Sequence, residues 1–221
     1  AEEILAARTS EVYTMTNLYG GRLCVEDGAV YQGRGITAME GSESTVRVKD
    51  ATLAHGGYDL NFNSGTSLEL EGNTRIIGNV QMLEGSYLSL IVPGALNVTE
   101  WSGQLNLAGS MTINMGGDST WTGENRILMY MDGGITGWSS EKLSVTGSQI
   151  YGKEDVEWVD NLLVLNYNAE TFNRYYNGSA TYTSKLSNAI LHHFSELRFE
   201  DIIGDSKGGA IEDYAGVSDN G

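Results

Sequence analysis

The sequence predicts an all-β solenoid, a chain wound into stacked coils of short strands, and three observations carry that prediction. Apolar and polar residues alternate over three to five positions again and again, as in Val46-Arg47-Val48, Leu68-Glu69-Leu70, Leu88-Ser89-Leu90, Leu105-Asn106-Leu107 and Met111-Thr112-Ile113. That alternation is the mark of a strand with one buried face. The punctuation between these runs is Gly, Asn, Asp and Ser, with 29 glycines against a single proline. These residues tolerate positive φ or bond their own backbone, so they build tight turns. A loose period completes the pattern: Gly65 to Gly85, Leu68 to Leu88, Trp101 to Trp121 and Trp138 to Trp158 are each 20 residues apart, and Trp121 to Trp138 is 17. A coil of that length cannot bury its apolar face alone, whereas a stack of coils can.

Taken in order, residues 1–22 read as an N-terminal cap segment and residues 23–167 as the solenoid itself. Within 23–167 no helical period occurs, and every alternating run is too short for a β-sandwich with its longer strands. Residues 168–221 read as a C-terminal cap that carries one helix and the start of a further repeat. The helix is expected near 186–198, because Leu186, Ile190, Phe194 and Leu197 share one face and Ser184 is placed to cap it. Such a cap would cover strand edges that an open solenoid end exposes. The last residues, Val217-Ser218-Asp219-Asn220-Gly221, read as the interior of a longer chain.

The glycine-punctuated L-x-L coils resemble the right-handed parallel β-helix of bacterial autotransporter passenger domains and related surface adhesin-like repeats. The segment Asn125–Trp138, followed by Leu143-Ser144-Val145 and Leu162-Leu163-Val164-Leu165, is similar to the closing module of such repeat regions. Gly208-Gly209-Ala210-Ile211 resembles the G-G-A-I repeat of polymorphic outer-membrane proteins. The resemblance implies a right-handed coil and a place at the bacterial cell surface or outside the cell.

Composition narrows the partners. Asp and Glu number 29 against 13 Lys and Arg, a net charge of −16, which repels nucleic-acid phosphates and anionic membranes. Twelve Tyr, four Trp and four Phe are too many aromatics for a disordered acidic chain. No run approaches 18 apolar residues, so no segment is expected to cross a bilayer as a helix. Cys24 is alone, which excludes an intrachain disulfide and a cysteine-held zinc.

The candidate ligand-binding residues are Trp101, Trp121, Trp138 and Trp158, each set among polar neighbours. On coils of equal length they would form a row of indoles offering flat faces to sugar rings; burial as an internal stack is the competing reading. Catalytic candidates are Asp27, Asp118 and Asp132, since glycoside hydrolysis needs two carboxyl groups facing one cleft. Asp27 and Asp50 are 23 apart, Asp118 and Asp132 are 14 apart, and either pair could meet on neighbouring coils. Asp27-Gly28-Ala29 is similar to the aspartic-protease active loop, with Gly28 where a hydroxyl side chain belongs. Neither Gly117-Asp118-Ser119 nor Gly204-Asp205-Ser206 is followed by the D-x-x-H phrase that would supply a base, the three histidines standing at 55, 192 and 193. His192 and Glu196 share a helix face but supply two metal ligands at most. No cofactor is expected; calcium on the Asp-rich turns is the one cation these residue types suit. The expectation is a surface-exposed or secreted segment that binds host or environmental glycan or glycoprotein without catalysis. A carboxylate-dependent hydrolase of polysaccharide or mucin-type glycoprotein on the same scaffold is the alternative.

Overall fold

A computed structural model describes residues 3–7, 10–11, 15–92, 98–116, 125–148, 150–168 and 170–171. The chain is a parallel β-solenoid with three-sided coils. Strands follow one another in threes: β1 (Glu3–Ala7), β2 (Ser10–Glu11) and β3 (Met15–Leu18), then β4 (Arg22–Glu26), β5 (Val30–Gly33) and β6 (Gly35–Ala38). Next come β7 (Thr45–Lys49), β8 (Thr52–His55), β9 (Leu60–Phe62), β10 (Ser67–Glu71), β11 (Thr74–Ile77) and β12 (Val80–Met82). The series continues with β13 (Tyr87–Ile91), β14 (Thr99–Ser102), β15 (Leu105–Leu107), β16 (Ser110–Asn114), β17 (Arg126–Met131) and β18 (Ile135–Thr136). The first strand of each coil joins sheet A, ordered β1-β4-β7-β10-β13-β16-β19, where β19 is Leu143–Thr146. The second strand joins sheet B and the third joins sheet C, ordered β18-β15-β12-β9-β6-β3.

The alternating runs fold this way because their inward residues stack directly on one another. In sheet A, Leu23, Val46, Leu68, Leu88, Met111 and Leu143 stand in register, as do Val25, Val48, Leu70, Leu90 and Ile113. Most of these side chains are buried completely. A fully buried Leu or Val contributes roughly 1.5–3 kcal/mol, so the ladders supply the main drive for stacking. Sheet B contributes Tyr31, Leu53, Ile76, Trp101 and Met131 in one column, and sheet C contributes Leu60, Val80 and Leu105.

Outward positions on the early strands of sheet A are charged and paired. Arg47 reaches Glu71 at 2.5 Å and Glu26 at 3.6 Å, and Lys49 reaches Glu71 at 3.2 Å. Further along the same face the outward residues are hydroxyls and amides, among them Ser89, Thr112, Ser144 and Asn114, with Thr112 and Ser144 hydrogen bonded at 2.9 Å.

The three corners differ. Between sheets C and A, Thr66 and Ser86 bend back so that each hydroxyl donates to the carbonyl three residues earlier, Asn63 at 2.7 Å and Leu83 at 2.6 Å. Between sheets B and C, Gly33, His55, Gly78, Gly103 and Gly133 occupy equivalent places on successive coils, extending the registers of β5, β8, β11, β14 and β17. A Cβ on Gly103 would stand 2.3 Å from the Gly78 carbonyl oxygen, and one on Gly133 would stand 2.3 Å from the Gly103 carbonyl carbon. Only glycine permits that approach. The corner between sheets A and B is built by polar turns and forms the groove described below.

The stack closes on an antiparallel hairpin. β20 (Val156–Val159) and β21 (Leu162–Leu165) turn through Asp160 and Asn161, and β21 pairs antiparallel with β17. Asp160 holds φ 52, the left-handed conformation a two-residue hairpin turn requires.

The structure differs from the sequence reading in two respects. Strands β1 to β3 already pair with β4 to β6, so coiling starts ahead of residue 23. Coil length is also not constant: Leu68 faces Leu88, but Thr74 faces Thr99 and Trp101 faces Met131, because the turns between sheets A and B lengthen. The helix expected at 186–198 lies outside the described residues. Residues 1–166 and 167–221 form separate compact units. In the second, the Asn168 side-chain oxygen accepts from the backbone N–H groups of Glu170 and Thr171.

Candidate binding groove

The corner between sheets A and B carries the phrases Glu26-Asp27-Gly28-Ala29, Lys49-Asp50-Ala51-Thr52 and Glu71-Gly72-Asn73-Thr74 on successive coils. Each turns the chain from sheet A into sheet B within two or three residues, through a residue of positive φ. Asp27 adopts 56°, Asp50 46° and Gly72 73°. Asp and Asn enter this region more readily than other residues because their short side chains bond locally.

These side chains bind the coils to one another. The Asp50 carboxylate lies over Gly72, where a Cβ would come within 2.2 Å of its Oδ1, and that oxygen accepts from the Asn73 backbone N–H at 2.9 Å. Asn73 repeats the arrangement one coil on, its Oδ1 accepting from the Val98 N–H at 3.3 Å. Stacked turns of this kind wall a groove of about 330 Å³. Its floor is the outward face of sheet B, where Thr52, Arg75 and Glu100 stand side by side in register and Tyr130 follows next to Glu100. Arg75 and Glu100 are exposed, and neither forms an ion pair among the described residues. The groove thus offers a guanidinium fork, a carboxylate, a hydroxyl and an amide along one open channel. That set can donate to and accept from a string of hydroxyl groups, which is what polar specificity in a shallow site requires.

The three described tryptophans do not form a row. Trp101 is 1% exposed, packed between Ile76 and Met131, with its Nε1–H donating to the Gly78 carbonyl at 3.3 Å. The spacing of 20 to Trp121 therefore does not reflect a coil, since the register carries Trp101 to Met131; Trp121 itself lies outside the described residues. Trp138 and Trp158 do come together, ring centroids 5.9 Å apart in an edge-to-face contact. Trp158 points to the same side as the buried Leu163, its partner across the hairpin. The pair caps the end of the apolar interior, and the Trp158 indole N–H is buried without a hydrogen-bond partner.

Of the carboxylate candidates, Asp27 is exposed on the A–B corner, one coil from Asp50. Asp132 is exposed on the B–C corner, where its N–H donates to the Trp101 carbonyl at 2.8 Å, so it does not meet Asp27. Asp118 lies outside the described residues, as do Ser206, His192, His193 and Glu196. No group of three His, Cys, Asp or Glu able to hold a metal occurs among the described residues. Cys24 is buried.

His55 is the one histidine described. It is 9% exposed in the glycine column, with Nδ1 2.5 Å from the Tyr58 carbonyl oxygen and Nε2 packed against Gly78. Burial lowers its pKa below 6.5, outweighing the Tyr58 carbonyl and the Asp59 charge, which favour the protonated ring.

Asn73, Arg75, Glu100 and Thr52 went unnoticed in the sequence because each sits in an ordinary alternating strand or turn. The repeated corner phrase ahead of β8 and β11 was the available signal. The chain matches no family model, no curated protein and no solved structure.

Proposed function

We propose that this chain is a non-catalytic recognition segment, displayed at a bacterial surface or secreted, that binds glycan or glycoprotein in the groove along the A–B corner. The observation that carries this reading is the register of Thr52, Arg75 and Glu100 beneath the wall of Asp50 and Asn73. Successive coils repeat at about 4.8 Å, so these groups form a polar track suited to an extended chain of hydroxyls. The resemblance of the coils to surface-displayed passenger segments supports the location. The Asp50 carboxylate is engaged by the Asn73 N–H, which fits a structural role better than acid–base work.

Titration with a mucin glycoprotein and with a neutral glucan tests the reading. Binding of either should weaken about tenfold, roughly 1.4 kcal/mol, in Arg75→Ala and in Glu100→Ala, with the melting temperature unchanged and no turnover of either polymer. Undiminished binding in both variants would refute the groove. The hydrolase alternative has one observation in its favour, the placement of Asp27 and Asp50 on neighbouring coils of the same corner. Turnover that disappears in Asp27→Asn while binding persists would establish it instead.

A further inference from the structure

Past Glu100, where the groove floor ends, the outward face of sheet B continues onto the closing hairpin as an apolar surface with an acidic border. Tyr130, Leu162 and Val159 stand directly across from one another on β17, β21 and β20, and Ile127 and Val164 form the next row. All five lie on the outward side, because their neighbours Met129, Leu163 and Leu165 fill the interior. Ile127, Tyr130 and Val159 are 45%, 44% and 43% exposed, so three of the eight exposed large apolar side chains among the described residues share this one small face. An equivalent position on the neighbouring strand β14 is Glu100, and on β11 it is Arg75, so the apolar character begins where the antiparallel cap begins.

Carboxylates border the face. Glu157 is across from Val164, Asp160 sits in the hairpin turn beside Val159, and Asp132 follows two residues after Tyr130; all three are exposed. Contiguous exposed apolar surface with a polar rim marks an interaction site. At a net charge of −16 a second copy of the chain would be repelled across such a border. We propose that this face docks a peptide segment of another protein in which apolar residues alternate with Lys or Arg. The apolar side chains would cover the Tyr130–Leu162–Val159 row, and the cations would meet Glu157, Asp160 and Asp132. The charge border sets the partner's sign and its rate of encounter, and the aromatic and aliphatic row supplies the anchor.

The probe is a capped peptide of alternating Lys and Val, about ten residues long and so roughly 33 Å when extended, ample to cross the roughly 10 Å between the outer two of the three strands and reach their border, with a Glu–Val peptide as its counterpart. The Lys–Val peptide should bind, more weakly as salt rises, and the Glu–Val peptide should not. Tyr130→Ser combined with Val159→Thr should weaken binding by about tenfold or more with an unaltered melting temperature. Glu157→Gln combined with Asp160→Asn, which leaves the fold intact because Asn tolerates the positive φ at 160, should weaken binding and flatten its salt dependence. The proposal is overturned if the Lys–Val peptide does not bind, if the Glu–Val peptide binds equally well, or if Tyr130→Ser with Val159→Thr leaves affinity unchanged. Sedimentation that shows a dimer dissolved by the same pair of substitutions would assign the face to a second copy and overturn it as well.

Discussion

The two ends of each sheet B strand meet opposite demands. At the end facing sheet C, Gly33, Gly78, Gly103 and Gly133 let successive backbones close upon one another, and the single side chain in the column, His55, is buried. At the end facing sheet A, the turns carry Asp27, Asp50 and Asn73, and the path lengthens between β13 and β14 and again between β16 and β17. From Gly78 onward the tight corner reaches sheet C in two positions on each coil, Gly78 to Val80, Gly103 to Leu105 and Gly133 to Ile135, because its neighbours there are backbone; where His55 replaces the glycine, the path to Leu60 takes five. The open corner accepts side chains and a longer path between its strands. From Gly78 to Gly133 the solenoid thus keeps its coils constant along one edge while the other lengthens, and the lengthening edge is where the polar groove lies.

Removing the anchor of the tight corner should have the largest effect. Trp101→Ala deletes the largest fully buried side chain among the described residues together with its hydrogen bond to Gly78, and a loss of about 3–5 kcal/mol in urea unfolding is expected. Gly103→Ala should follow, at about 3 kcal/mol, since φ +131 and a contact of 2.3 Å with the Gly78 carbonyl add strain to overlap. At the open corner the same substitution is milder. Gly28→Ala meets nothing within 4 Å, so only the left-handed φ of +77 counts against it, about 1–2 kcal/mol. Equal losses for Gly103→Ala and Gly28→Ala would erase the distinction between the corners.

Acid provides a finer probe of the same difference. The unfolded chain protonates His55 near pH 6.5, whereas burial keeps the folded imidazole neutral to lower pH. Stability should therefore be level above 6.5 and decline as pH falls below it, until the folded imidazole also takes its proton. In His55→Asn that decline should be absent. A second decline belongs to Glu71. Burial pushes its carboxyl up, but hydrogen bonds and charge from Arg47 and Lys49 more than offset this and hold it below 4.5. The stability it contributes is present above 4.5 and lost as pH falls through the lower folded value. Melting curves from pH 8 to pH 3 on the two proteins separate these windows.

Much of the fold could be read from the sequence because the inward ladders have a strict period of two. The pairing of Leu68 with Leu88 follows from the repeated Gly-x-x-L-x-L phrase alone. The tryptophan spacing misled because it assumed one coil length, while the lengthened turns at the open corner move the register from 20 residues at Leu68 to 30 at Trp101. The glycine column was hidden by the same irregularity, its members lying at unequal intervals among many other glycines. The antiparallel cap was more accessible: Val159-Asp160-Asn161-Leu162 carries a two-residue Asp-Asn turn between apolar runs, a hairpin signal. The groove floor was invisible for a different reason. Arg75 and Glu100 gain meaning only from their register, which depends on the turn before each strand and not on the strand itself.

Amide hydrogen exchange with and without bound mucin glycoprotein compares the corners in a single measurement. Slowed exchange confined to the groove turns and strands, residues 50–53, 73–76 and 98–101, with residues 77–79 and 103–105 unchanged, is the predicted result. Protection that appears at the glycine corner instead, or at neither corner under conditions where the glycoprotein is bound, would contradict the assignment of recognition to the open edge.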